Sequence, residues 1–270
     1  MKARFNTIRR YLKNDRISDY EKILSAAVEN GYKIISMEDY TEIKNSTDKL
    51  LILRHDIDYT SKANLMMFEI EKKYNIRASY YFRKQTIDAE LIPLIKSYGS
   101  EASLHFETIA DYIREHNITN REQLFKTDFK NQCLDILKQD IIQLRKRFQI
   151  KCSTIASHGA PENRLVGIHN NYLTEDVNVY EYLDVKLEAY QKEFISNIGE
   201  YISDTVIEEN GGFRYGKHPI SVIENGVSPI LFLTHPNHWY YNSRQIFNKI
   251  IKVMVYGNSF YNDKFIRIKI

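Results

Sequence analysis

The chain has 270 residues, with 38 basic against 35 acidic side chains and a formal charge of +3. That near balance, without a block of like charge, argues against nucleic acid as a partner; two cysteines, Cys133 and Cys152, are too few for a disulfide framework or a zinc knuckle and read as buried thiols in a reducing compartment. No run of about 18 apolar residues exists, so no membrane span is expected; Met1–Asn6 has no apolar segment behind it, so no signal peptide is expected and the reading is cytoplasmic.

In chain order, apolar positions at helical spacing (Ile8, Tyr11, Leu12, then Ile23, Leu24, Ala27, Val28) predict helix over 7–31. Ser18 with Glu21 forms a capping-box pattern, and Gly31 is the stop. Tyr32–Met37 reads as a short strand and 40–48 as a loop. Leu50-Leu51-Ile52-Leu53 is an unbroken aliphatic run, the pattern of a strand buried on both faces. Lys62–Tyr74 is a helix closed near Asn75, Arg77–Phe82 a strand, Ala89–Tyr98 a helix capped by Gly99, and Glu101–His105 a strand. Strand alternating with helix implies a parallel sheet with helical crossovers. Residues 119–148 read as one long helical region with Leu134, Leu137, Ile141 and Leu144 as its buried stripe, widened by Ile136 and Ile142. Cys152–Ser157 is a strand; 162–200 is irregular. Tyr201–Thr205 is a possible strand, Glu209–Gly212 a turn, Pro229–Leu233 a clear strand and 243–255 a final helix. No linker divides the chain, so 1–270 reads as one domain with an N-terminal helical extension over about 1–47.

The aliphatic run at 50–53 leads directly into Arg54-His55-Asp56-Ile57-Asp58. In folds with parallel strands, ligands bind at the strands' carboxyl ends. Side chains two apart on a strand share a face, so Asp56 and Asp58 face together with Arg54 behind them, while His55 points toward the helical layer. Two such carboxylates repel unless a cation lies between them or one is protonated, which makes the pair a metal site, an acid/base pair, or both. The pattern recurs: apolar strands also end in His105 with Glu107, in His158, and in His235. Mixed Asp and His ligation suits zinc or another divalent transition metal.

Four stretches together resemble the polysaccharide deacetylase family of metal-dependent carbohydrate N-deacetylases. They are Arg54-His55-Asp56-Ile57-Asp58, Glu101–Glu107, Ser157-His158-Gly159-Ala160-Pro161, and Leu233-Thr234-His235-Pro236-Asn237-His238-Trp239, with Arg77–Phe82 matching the family's second strand. The resemblance spans about residues 48–240. It implies an α/β fold, a distorted (β/α) barrel of the polysaccharide deacetylase type, acting on a carbohydrate or glycan-precursor substrate with a divalent metal, zinc in the first place.

By the same resemblance Asp56 is the general base, Asp58 and His105 are metal ligands and His235 is the general acid. Leu233 borders an acetyl-sized pocket, and a backbone N–H near Gly159 faces the oxyanion. Arg54 pairs with Asp56 or holds the site, and His238 with Trp239 lines a sugar-binding edge, Trp239 being equally readable as core. Asp204 is placed to orient a catalytic histidine. The family's second ligand histidine falls four residues after the first, where this chain has Ile109; His158 or Glu107 takes its place. The reading is thus a hydrolase of a linear amide bond that removes an N-acetyl group. A silent glycan-binding relative and an amidase acting on a non-sugar amide are the alternatives.

Overall fold

A computed structural model describes residues 15–43, 47–207, 212–241 and 243–256. Eight strands form one sheet: β1 (Tyr32–Ile35), β2 (Lys49–Ile57), β3 (Ser79–Phe82), β4 (Glu101–Phe106), β5 (Thr154–Ser157), β6 (Leu187–Glu188), β7 (Glu200–Ser203) and β8 (Ile230–Thr234). Their order is β6-β5-β4-β3-β2-β8-β7, with β1 also on β2, and every pairing is parallel. Helix α1 (Ile17–Glu29) precedes β1; between the strands run α2 (Met37–Glu42), α3 (Lys62–Lys73), α4 (Leu91–Tyr98), α5 (Thr108–Glu115), α6 (Arg121–Phe125), α7 (Phe129–Phe148), α8 (Pro161–Val166), α9 (Asn178–Leu183), α10 (Lys192–Ser196) and α11 (Pro219–Glu224); α12 (Ser243–Tyr256) follows β8. Among the described residues no helix is long and apolar enough to cross a membrane.

The sheet curls into a distorted (β/α) barrel. Ile52 of β2, Tyr81 of β3, Ala156 of β5, Leu187 of β6 and Leu231 of β8 lie in one buried cluster, so strands far apart in the order converge on one interior. Alternation along each strand sends the intervening residues outward. Leu51, Leu53, Ile57, Tyr80 and Phe232 pack under α1 and α3, and Leu104, Phe106 and Ile155 under α5 and α7. The barrel's amino end is closed by the buried Glu101, which accepts from Ser79 Oγ (2.5 Å), Thr154 Oγ1 (2.6 Å) and the Glu38 N–H at the start of α2 (3.0 Å).

Several local expectations change. α1 begins at Ile17, so Ser18 lies inside its first turn rather than at the cap; Asp15 Oδ1 accepts from the Ile17 N–H instead. The strand at 32 stops at Ile35 because Ser36 caps α2 in a box with Asp39, placing a helix where a loop is predicted. Helix 119–148 is broken into α6 and α7, and Ile136 and Ile142 are exposed, outside the buried stripe of Phe129, Cys133, Leu134, Leu137, Ile141 and Leu144. The irregular region 162–200 holds α8, α9, α10 and the two-residue β6. Ile8, Tyr11 and Leu12, and most of the turn Glu209–Gly212, lie outside the described residues.

Candidate metal centre

Sheet register gathers the four strand ends. β2 continues extended to Ile57, so Ile52, Arg54, Asp56 and Asp58 alternate onto the interior face and climb toward the carboxyl end. Tyr81 of β3 stands beside Asp56, Leu233 of β8 beside Arg54, and Ala156 of β5 beside His105 of β4. One step farther along β5 and β8 come His158 and His235.

Asp58, His105 and His158 bring three donor atoms within 4.8 Å of one another. Asp58 Oδ1 lies 3.5 Å from His105 Nε2 and 3.6 Å from His158 Nε2. Ligand atoms around a tetrahedral zinc with bonds of about 2.0–2.1 Å stand about 3.3 Å apart. Asp58 Oδ1 is also buried without a hydrogen-bond partner, a costly state for a carboxylate oxygen unless a cation takes the lone pair. Each imidazole is fixed from behind: His105 Nδ1 donates to Ala156 O (3.0 Å) and His158 Nδ1 to Glu107 Oε2 (2.9 Å). Both Nε2 lone pairs are therefore free to face Asp58. Burial opposes the Asp58 charge, but the histidines His105, His235 and His158 hold its carboxyl well below the usual range. The donor set fits a divalent ion.

Asp56 is 2% exposed and accepts two bonds from the fully buried Arg54, Nε to Oδ1 (3.2 Å) and Nη2 to Oδ2 (2.8 Å). Burial would raise its carboxyl, yet Arg54 above all, then His105 and His235, keep it lowered and ionised. His235 Nδ1 donates to Asp204 Oδ1 (2.6 Å), leaving Nε2 3.9 Å from Asp58 Oδ2. Burial disfavours the imidazolium, but Asp204 outweighs it and His235 is pushed up to about 9. Asp204 is itself fully buried and also accepts from the His235 N–H (2.7 Å) and Trp239 Nε1 (2.7 Å).

Asp56, Asp58, His105, His158 and His235 thus share one face at the strand carboxyl ends. Other expected positions do not reach it openly. Arg54 is buried beneath Asp56, stacked on Tyr190 and donating to its hydroxyl (2.9 Å), so it supports Asp56 and is not itself open to a ligand. Trp239 is 1% exposed and packs on Tyr20 and Phe213, which rules out a sugar-stacking edge: its indole N–H is spent on Asp204. Leu233 sits at the level of Arg54, 2% exposed, and forms part of the site's floor. Gly159 is exposed, with no atom within 4 Å of where a Cβ would stand, so the chain leaves room beside His158. His55 points outward, Nδ1 2.5 Å from Thr234 Oγ1 and Nε2 2.8 Å from Glu71 Oε1. Glu107 stands behind His158 and Ile109 is fully buried with Leu104 and Phe106 outside the sheet. Sequence reasoning missed Tyr190, which carries no signal in an aperiodic region. It also missed Arg83 and Gln85, whose place just after a strand end is a signal of the kind that exposed the histidines.

No family model matches the chain, and no curated protein is a significant match. Among solved structures the chain is similar to the CE4 domain of a multidomain xylanase from the hindgut metagenome of Trinervitermes trinervoides, at 12% identity over 78% of this chain and 84% of that one, with a TM-score of 0.40. It is similar to a mutant of a CE4-family pseudoenzyme with restored enzymatic activity, at 10% identity over 80% and 64%, TM-score 0.40. A third likeness is to the catalytic domain of a peptidoglycan N-acetylglucosamine deacetylase from Eubacterium rectale, at 14% identity over 84% and 91%, TM-score 0.42.

Proposed function

We propose that this protein is a divalent-metal-dependent hydrolase, with zinc as the metal, that removes an N-acetyl group from a sugar or glycan precursor. The observation that carries this is the unpartnered Asp58 Oδ1, buried between two imidazole nitrogens whose rings are each tied down from behind. Asp58, His105 and His158 would hold the ion. Bound there, it would supply Lewis acidity toward an amide carbonyl and toward the attacking water.

Asp56 is the base. Arg54 keeps it ionised and fixes both oxygens, so it accepts the water's proton without needing to reorient. His235 is the acid: Asp204 keeps it charged near neutrality, and it gives its own Nε2 proton to the departing amine. Leu233 closes the floor with an apolar surface suited to a methyl group. Two exposed tyrosines, Tyr59 directly after Asp58 and Tyr215 in the segment between β7 and α11, are candidates for the sugar-stacking role first read for Trp239.

The test is release of free amine from a panel of N-acetylated sugars, short N-acetylated glycans and acetylated alkylamines, with zinc supplied. The proposal expects turnover on the sugars above that on the alkylamines, abolished by a chelator. Turnover confined to alkylamines would overturn the sugar assignment, and turnover indifferent to chelation would overturn the metal.

A further inference from the structure

The third ligand is where this chain leaves the motif pattern it resembles. His158 follows a four-residue strand and has no helix to set its ring. Glu107, two residues beyond His105 and 4% exposed, lies directly behind it. Its Oε2 accepts from His158 Nδ1 (2.9 Å), both oxygens accept from Arg83 Nη2 (2.8 and 2.9 Å), and Oε1 accepts from Gln85 Nε2 (2.8 Å). These donors occupy the lone pairs that a metal would need. The backbone is held as well. The His158 N–H donates to Phe106 O (2.8 Å) and its carbonyl accepts from Asn170 Nδ2 (2.6 Å), while Asn170 Oδ1 accepts from the N–H groups of Ile109 (2.8 Å) and Ala110 (3.2 Å). Asn170 thus joins the helix start where a ligand is missing to the residue that replaces it.

We propose that Glu107, backed by Arg83, is the positioning residue that makes His158 a metal ligand, by holding its Nδ1–H and turning Nε2 onto Asp58. A carboxylate behind a ligating imidazole fixes its tautomer and raises its basicity, and losing such a partner weakens metal binding by about 10–100-fold. The proposal rests on the metal-dependent reading above.

The experiment is zinc affinity, by competition with chelators of graded strength, for wild type, Glu107→Gln, His158→Ala and the double variant. Melting curves of the metal-free forms establish that each is folded. Glu107→Gln is expected to bind about 10–100-fold more weakly than wild type. In the His158→Ala background the same change should cost less than about twofold, because Glu107 then has no imidazole to act through. Wild-type affinity in Glu107→Gln, or an equal loss in both backgrounds, overturns the proposal while leaving the hydrolase reading intact. A wild-type protein that binds no zinc overturns the hydrolase reading itself.

Discussion

His235 Nδ1 stands 2.6 Å from Asp204 Oδ1, and both groups are buried. The pair keeps the imidazole charged up to about pH 9. Chemistry that needs the imidazolium therefore runs below that value and fails as pH rises through it. The stabilisation from the pair follows the same course, full below the ordinary histidine value of about 6.5 and lost through about 9. In Asp204→Asn the counter-charge is gone, so the alkaline limb of kcat should move down toward about 6.5. Profiles of kcat against pH for the two proteins measure this, and an unmoved limb would contradict His235 as the acid.

On the proposed reading, with Asp56 as the base, the acid limb is that of Asp56. Arg54 lowers that carboxyl, so replacing Arg54 by Met should raise it and shift the low-pH limb upward. The cost is an unpaired buried carboxylate, about 3–5 kcal/mol in denaturant unfolding. Asp56→Asn should lose about 10²–10⁴ in kcat while retaining metal, since Asp56 is not among the proposed ligands. Near-wild-type turnover in that variant would remove Asp56 as the base.

Ile109→His restores the residue expected from the resemblance but should restore no ligand. Ile109, on α5, is fully buried in the apolar cluster with Leu104 and Phe106 and does not face the site. A polar ring there without a partner should cost about 2–4 kcal/mol in unfolding free energy. Metal stoichiometry and affinity measured on the folded fraction should stay at the wild-type level; a clear gain in affinity would show that position 109 can reach the metal.

Trp239→Phe keeps a ring but removes the N–H donated to Asp204. Loss of a bond to a buried carboxylate should cost about 1–3 kcal/mol. KM for a glycan substrate should not change, because the ring is 1% exposed. A rise in KM without loss of stability would return Trp239 to the substrate edge.

The site was legible where strand and motif coincide. The run at 50–53 is apolar because β2 is covered on both faces, and the alternation beyond it sends Asp56 and Asp58 inward together, as two-residue periodicity requires. His105, His158 and His235 were visible because each ends an apolar run. What the pattern could not convey is depth. Arg54 and Trp239 look like substrate contacts in one dimension, but register places Arg54 a step below Asp56, and Trp239 turns inward to meet Asp204. β6 escaped because two residues carry no periodicity; its place in the sheet comes from β5, which it pairs at Thr154 and Ile155. Glu107 reads as a rival to His158 in the sequence, whereas in the structure it accepts from the far side of the His158 ring, a distinction that only the third dimension makes.

The central claim is that Asp58, His105 and His158 form one metal centre. Metal content of the purified protein, beside Asp58→Ala, His105→Ala and His158→Ala, tests it most directly. The account predicts about one equivalent of zinc or a similar ion in the wild type, with binding lost in Asp58→Ala and His105→Ala and weakened but measurable in His158→Ala, the four-coordinate catalytic pattern being three protein ligands and a water. A wild-type protein that neither carries metal nor takes it up on titration, or a His158→Ala variant that binds as tightly as wild type, would contradict it.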